Sequence, residues 1–140
     1  MSWNPVFVMR DLLENISYGN VTPQHFVGSA PLDSDFPYSR ITSIAGIHRE
    51  HMQGPAGSAQ KRIQIDWWDK DPDQLNLVTE TARIKLSGLR GAVEMKETVF
   101  QVRRLHMEED DVDSEPQKNG DDSPVYHCRQ EWRMDYEEEI

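Results

Sequence analysis

Residues 60–89 constrain the fold more than any other stretch. From Gln60 to Asp69 the polarity alternates, with Ile63, Ile65 and Trp67 on one side and Arg62, Gln64 and Asp66 on the other. That is the period-two signal of a strand with one buried face. A helix start follows at once. Asp71 stands where an N-cap belongs, Pro72 at the first helical position and Gln74 at the third, a capping-box arrangement. Leu75, Val78, Ala82, Leu86 and Leu89 then recur at steps of three or four and make one apolar stripe. Gly88 and Gly91 are placed to end the helix. A strand ending in Trp67 and Trp68 that passes directly into a capped amphipathic helix is a core β–α unit, on which the rest is expected to pack.

The flanking chain supplies a second helix and further strands. Asn4 caps an N-terminal helix with Pro5 at its first position; Met9, Leu12, Leu13 and Ile16 form its apolar face and Gly19 its stop. Within the proline-containing segment 21–32, Gln24 to Gly28 has room for a short strand. Tyr38 to Ile47 reads as a strand, with Ile41, Ser43, Ala45 and Ile47 preferred as the inward set. Residues 48–58, with Gly54, Pro55 and Gly57, are too glycine-rich to pack and are expected to be a mobile loop or hairpin tip. Leu89 to Met95 reads as a connector. Val99 to Met107 is a third long strand, with Val99, Leu105 and Met107 on one side and Phe100 and Val102 on the other. An acidic loop over 108–122 follows. Val125 to Tyr136 closes the chain as a strand, with Tyr126, Cys128, Trp132, Met134 and Tyr136 on its apolar face and His127, Arg129, Glu131, Arg133 and Asp135 on its polar one. Loop-connected neighbouring strands favour antiparallel pairing. The expected fold is α+β: one domain over residues 1–140, a two-layer sandwich of a mostly antiparallel sheet with two helices packed on one face.

Charge restricts function. The net charge of −10 argues against binding nucleic acid through its phosphates, which needs clustered Lys and Arg. Residues 108–122 hold eight Asp or Glu against the single Lys118. The only cysteine, Cys128, allows neither an internal disulfide nor a cysteine-based zinc site. No apolar run approaches the roughly 20 residues of a membrane span, and the N-terminus has no signal-peptide pattern. A soluble protein made and kept inside the cell is expected.

Four groups invite a chemical reading. His48 and His51, three apart around Arg49 and Glu50, could share a metal on a helix, but they lie in the glycine-rich segment and lack the metalloprotease spacing. Asp66, Asp69, Asp71 and Asp73 are rich in carboxylates yet lack the glycine and terminal glutamate of a calcium loop; capping and solvation account for them. The acidic 108–122 run reads as a solvated segment. Cys128 alternates with apolar residues and reads as a small buried side chain. Neither a nucleophile–base order nor a phosphate-binding glycine loop is present, so no catalytic residue, metal site or cofactor is expected. Trp68 points away from the apolar face, and a neighbouring subunit is one source of cover for it.

Taken together, the N-terminal helix, Phe36 to Ile41, the Gly54 to Gly57 segment, Lys61 to Trp68 with its helix, and the late Tyr126–Tyr136 strand have a familiar order. In that order the chain, over residues 5–137, resembles the short tail-completion proteins of long-tailed bacteriophages, which include lambda-like tail terminators. The acidic segment 108–122 is longer than that pattern. The resemblance implies a sheet flanked by helices and a structural, non-enzymatic virion role. The implied assembly is a ring, typically of six subunits, at the head-proximal end of the tail, put together in the host bacterial cytoplasm. Its implied partners are other copies of itself, the tail tube protein and a head–tail connector protein. Neither membrane nor specific nucleic-acid binding is implied, since the genome only passes through the ring. Candidate contact residues are His48, Arg49, His51, Met52, Gly54 and Pro55, with Trp68 and Tyr136. Competing classes are a head-closure or neck connector, a metal-dependent enzyme using His48, His51 and Asp66, and a host-directed binding protein.

Overall fold

The computed structural model describes residues 4–31, 34–51, 54–95, 98–116 and 124–137, with side chains apart from those of 45–51, 54–58, 98 and 113–116. The elements in chain order are α1 (Pro5–Glu14), β1 (Gln24–Val27), β2 (Tyr38–His51), β3 (Gly54–Asp69), α2 (Pro72–Leu86), β4 (Gly91–Met95), β5 (Thr98–Pro116) and β6 (Pro124–Glu137). The strands form one sheet in the order β1-β2-β3-β6-β5-β4. Four of its five pairings are antiparallel. The fifth, β1 with β2, is parallel. The α+β class stands and the sheet is mostly antiparallel, but it is mixed and curls into a half-barrel where a two-layer sandwich was expected. The parallel step arises because the chain from Val27 returns to Tyr38 through a long connection instead of a tight hairpin.

Both helices start as their residues dictate. Asn4 Oδ1 accepts a hydrogen bond from the Val6 amide at 3.2 Å. Asp71 Oδ1 accepts one from the Asp73 amide at 3.0 Å. The capping box is altered, however: the Asp71 amide donates to Asp69 Oδ1 at 3.2 Å, so the chain preceding the helix does what Gln74 was expected to do. α1 stops at Glu14, ahead of Gly19, with Asn15 as its cap. After α2, Gly88 adopts φ +78°, a left-handed conformation that costs glycine little, and its amide donates to the Leu105 carbonyl at 2.8 Å. That bond turns the chain towards β5.

A single apolar cluster lies on the concave side. Ile63, Ile65 and Trp67 of β3 meet Cys128, Trp132 and Met134 of β6 beneath Leu75, Val78, Ala82 and Leu86 of α2 and Val8, Met9 and Leu13 of α1. Trp67, Trp132, Ile63, Ile65 and Met134 are fully buried; each such side chain contributes on the order of 2–3 kcal/mol. Gln130, also fully buried, accepts from Trp67 Nε1 at 3.0 Å and donates to the Thr79 carbonyl of α2 at 3.1 Å. It is a buried polar rivet between the sheet and α2. α1 packs against β1, β2 and also β4, so the sheet curls far enough for one helix to touch both of its edges.

Several boundaries depart from the expected ones. The backbone of 48–51 and 54–58 is laddered as strand, with Glu50 opposite Pro55 and His51 opposite Gly54. Ladder pairing there outweighs the glycine content. The connector 89–95 contains the edge strand β4, and the acidic loop begins as strand as far as Pro116, because β6 supplies a partner throughout. Register shifts also move side chains between faces. The shift between Val102 and Arg104 brings Phe100, Val102 and Leu105 all into the core, while Val99 is 58% exposed. In β2, Ser39 and Ile41 are buried, and a shift between Ser43 and Ala45 ends the expected inward series.

Candidate functional site

The convex face of the sheet carries no helix and holds the most organised polar cluster in the structure. Tyr38, Trp68 and His127 stand in one cross-strand row on β2, β3 and β6. Their rings stack: Tyr38 on Trp68 with centroids 5.1 Å apart and Trp68 on His127 at 5.0 Å. Phe36 and Phe26 extend the row to the β1 side, at 5.5 and 6.3 Å from Tyr38. Two cations cap the aromatics. The Arg40 guanidinium lies 5.3 Å from the Trp68 ring and the Lys70 ammonium 5.6 Å from the Phe36 ring. The cover that Trp68 requires is therefore supplied largely within the chain.

Asp66 is the centre of the next row. Its Oδ1 lies 2.7 Å from His127 Nε2, and its Oδ2 accepts from Gln64 Nε2 at 2.8 Å and from Arg40 Nη2 at 3.3 Å. Burial pushes this carboxyl up, but the hydrogen bonds from His127 and Gln64, the charge of His127 and the Arg40 bond outweigh it and leave it below the ordinary carboxylate value. Asp66 is only 2% exposed. The pair thus resembles the orienting half of a catalytic dyad, but its carboxylate is closed to solvent and spent on structure.

Farther along the face, ion pairs replace rings: Arg62 with Glu108 at 2.9 Å, Arg133 with Glu108 at 3.5 Å and Arg129 with Glu109 at 3.8 Å. Such exposed pairs individually add little to stability. On the concave side, His25 of β1 is buried and its Nδ1 lies 2.6 Å from Ser39 Oγ, with the ring edge-on to Trp67. Burial lowers its pKa to about 4. The Cys128 thiol donates to Asp110 Oδ1 at 3.1 Å, and burial first, then Asp110, push its pKa well up. It is a poor nucleophile.

The expected contact residues scatter. Trp68 lies in the convex row. Tyr136 is 4% exposed and stacked on Phe100 at 5.1 Å on the core side, as the β6 alternation requires. His48, Arg49, His51, Gly54 and Pro55 lie on the two strands of the β2–β3 hairpin end. Their side chains, and Met52 entirely, fall outside the described residues. The metal reading fails on register. His48 is level with Ala59, seven residues from Asp66 along β3, so about 23 Å separates the two levels at about 3.3 Å per residue. Among the described residues no group of His, Cys, Asp or Glu is arranged to hold a metal ion. No described helix is long and apolar enough to cross a membrane.

Sequence reasoning missed His127, Arg40 and Tyr38. Alternation did place His127 on the polar face of its strand. Nothing local, however, reveals that β6 lies beside β3, across 61 residues.

The class defined by these features is an α+β fold built on a curled mixed sheet, with two helices in its concavity and a stacked aromatic–ionic row on its convex side. The same fold occurs in a protein chain from the virion of a native gene transfer agent (GTA) particle: TM-score 0.55, 12% sequence identity, 94% of this chain and 85% of that one covered. No protein-family profile matches the chain. No curated protein sequence matches it.

Proposed function

We propose that the protein is a structural component of a tailed, phage-like particle: a tail-completion or terminator protein that forms a ring, of six subunits, on the head-proximal end of the tail tube. There it halts tube polymerisation and presents the surface that joins the head. The fold it shares, over nearly its whole length, with a chain of a gene transfer agent virion carries this reading. The Asp66 carboxylate is closed to solvent and the sole thiol is tied to Asp110, which supports a scaffolding role over a catalytic one. Its partners are then further copies of itself, the tube protein and a head–tail connector. A cyclic ring uses two different patches on each subunit. The net charge of −10 suits a conduit wall, since negative walls repel phosphates and let DNA slide.

Electron microscopy of a lysate from a particle-producing strain lacking this gene tests the reading. Separate filled heads beside overlong or irregular tails are the expected result. Separate heads with tails of uniform, normal length would move the role to head closure at the neck. Intact infectious particles would overturn the structural reading.

A further inference from the structure

The two edges of the sheet are stepped in opposite senses. On one side, β1 covers β2 only from Tyr38 to Ile41, and from Thr42 onward β2 has no strand outside it among the described residues. On the other side, β4 covers β5 only from Thr98 to Val102, and Leu105 bonds to Leu89. From His106 to Pro116 no described strand lies outside β5. Following the register across the sheet sets the levels of these steps. Phe26, Arg40, Asp66, Arg129 and Asp111 form one row, and His25, Ser39, Trp67, Cys128 and Val112 the next. The protruding β1 is therefore level with the open stretch of β5. By the same route, Gly91 of β4 is level with His48, on the open stretch of β2. Each edge has the outline that the other lacks.

Within one chain this fit is not used: α1, packed against both β1 and β4, stands between the two edges. We propose that β5 of one copy pairs antiparallel with β1 of a second copy, Asp111 beside Phe26 and Val112 beside His25, so that copies join head to tail into a continuous sheet. The inference rests on the ring reading above and names its contact.

Three observations favour a second copy over another occupant. The chain directions are right, because β1 is parallel to β2 while β5 runs antiparallel to β6 and so opposite to β1. The faces match, since Val112 and His25 both belong to the concave rows and Asp111 and Phe26 to the convex ones, and directly paired residues share a face. The charges continue. Along the convex row the signs alternate, Arg40, Asp66, Arg129, Asp111, and the row ends on an acid. In the junction the next cation is Arg40 of the neighbouring copy, one strand beyond Phe26 and about 10 Å from Asp111 at about 4.8 Å per strand. The Arg40 side chain is partly exposed, so its charge is open to the junction. Val112, 62% exposed amid acids, gains an apolar-edged neighbour. A long open strand edge is otherwise a liability that proteins cover or charge; here the charge excludes indiscriminate pairing while the Phe26–Arg40 corner accepts it.

Disulfide trapping tests the contact in the full chain. Phe26→Cys and Asp111→Cys proteins, purified separately, are mixed under mild oxidation; Phe26→Cys with Val99→Cys is the register control, because Val99 lies on the stretch of β5 covered by β4. The expected result is a heterodimer in the first mixture alone, and a ladder of covalent oligomers from the Phe26→Cys/Asp111→Cys double variant. A double variant that cross-links only within one chain, or a first mixture no better than the control, overturns the proposal. Asp111→Arg, at an exposed site, gives a second readout: a drop of at least tenfold in self-association by sedimentation equilibrium, with unchanged folding. Unaltered self-association would equally overturn it. Trapping that fails while the gene deletion still gives overlong tails rejects this edge and leaves the ring reading standing; the reverse pattern rejects the tail role and keeps the contact.

Discussion

His127 Nε2 lies 2.7 Å from Asp66 Oδ1, joining two strands across the helix-free face at residues 61 positions apart in the chain. Asp66 also holds Gln64 and Arg40, so its carboxylate ties β2, β3 and β6 together at one level. Asp66→Asn keeps the shape but removes the charge and turns one acceptor into a donor facing donors. Leaving a buried network half-satisfied is expensive, and a loss of about 2–4 kcal/mol in urea unfolding is expected. The pH dependence has a definite sign. With its folded pKa depressed, Asp66 contributes stability above the ordinary carboxylate value, and that contribution is lost as pH falls below it. The variant should lack this acid-side loss; a variant with wild-type stability would show that the network is decorative.

His25 adds a second acid-side loss of stability, on a different window and from a different cause. It is buried against Ser39 and Trp67, and its pKa falls from 6.5 to about 4. The unfolded chain therefore binds the proton more readily between those values. Stability contributed by keeping His25 neutral is complete above pH 6.5 and drains away as pH falls towards 4, to a total of about 3 kcal/mol. Comparing urea midpoints of wild type and His25→Gln at intervals between pH 7 and 4 isolates the effect. The wild-type midpoint should fall more steeply than the variant's, and parallel curves would refute the assignment.

The residues around these two sites show what a sequence can carry. Asp71 and Pro72 announce α2, Ile63, Ile65 and Trp67 announce the inner face of β3, and the even-numbered residues of β6 announce its core side; each is a local pattern with a local cause. The register shift between Val102 and Arg104 leaves no such mark, and it decides that Phe100 and Leu105 share a face. The strandedness of Glu108 to Pro116 is likewise owed to β6, not to its own acid-rich composition. Tyr38, Trp68 and His127 become a stack only through the order β2-β3-β6. Local chemistry was legible; adjacency was not.

Gln130 offers a test of how the helix layer is fastened. Its Oε1 accepts from Trp67 Nε1 at 3.0 Å and Trp132 Nε1 at 3.4 Å, and its Nε2 donates to the Thr79 carbonyl. Gln130→Leu is close in volume, yet it strands two indole N–H groups in the core. A destabilisation of about 2–4 kcal/mol is expected, read by thermal melting followed through tryptophan fluorescence. A melt unchanged from wild type would mean that the indoles find other acceptors.

Cys128 should be silent in the native protein. It is 1% exposed and donates to Asp110, and both conditions hold it as the thiol. At pH 8 an aromatic disulfide reagent should modify it only at the rate of unfolding, and at once in urea. Rapid native labelling would place the thiol at the surface.

The β2–β3 hairpin separates folding from assembly. Among the described residues the last of β3 paired with β6 is Ser58, opposite Glu137, and Gly54 to Gly57 are paired with β2 alone. Removing residues 50–57 shortens the ladder without altering the register of β3 on β6, and the melting point should fall by no more than a few degrees. If the hairpin end is a contact surface of the ring, as the proposed function holds, the deletion should nevertheless fail to complement a gene-deleted particle, leaving heads and tails unjoined. Normal complementation by a stably folded deletion protein would exclude the hairpin from assembly and leave the sheet edges to carry it. Failure of both folding and complementation would show instead that the hairpin end supports the core. The melting curve, taken first, decides which of these the complementation result addresses.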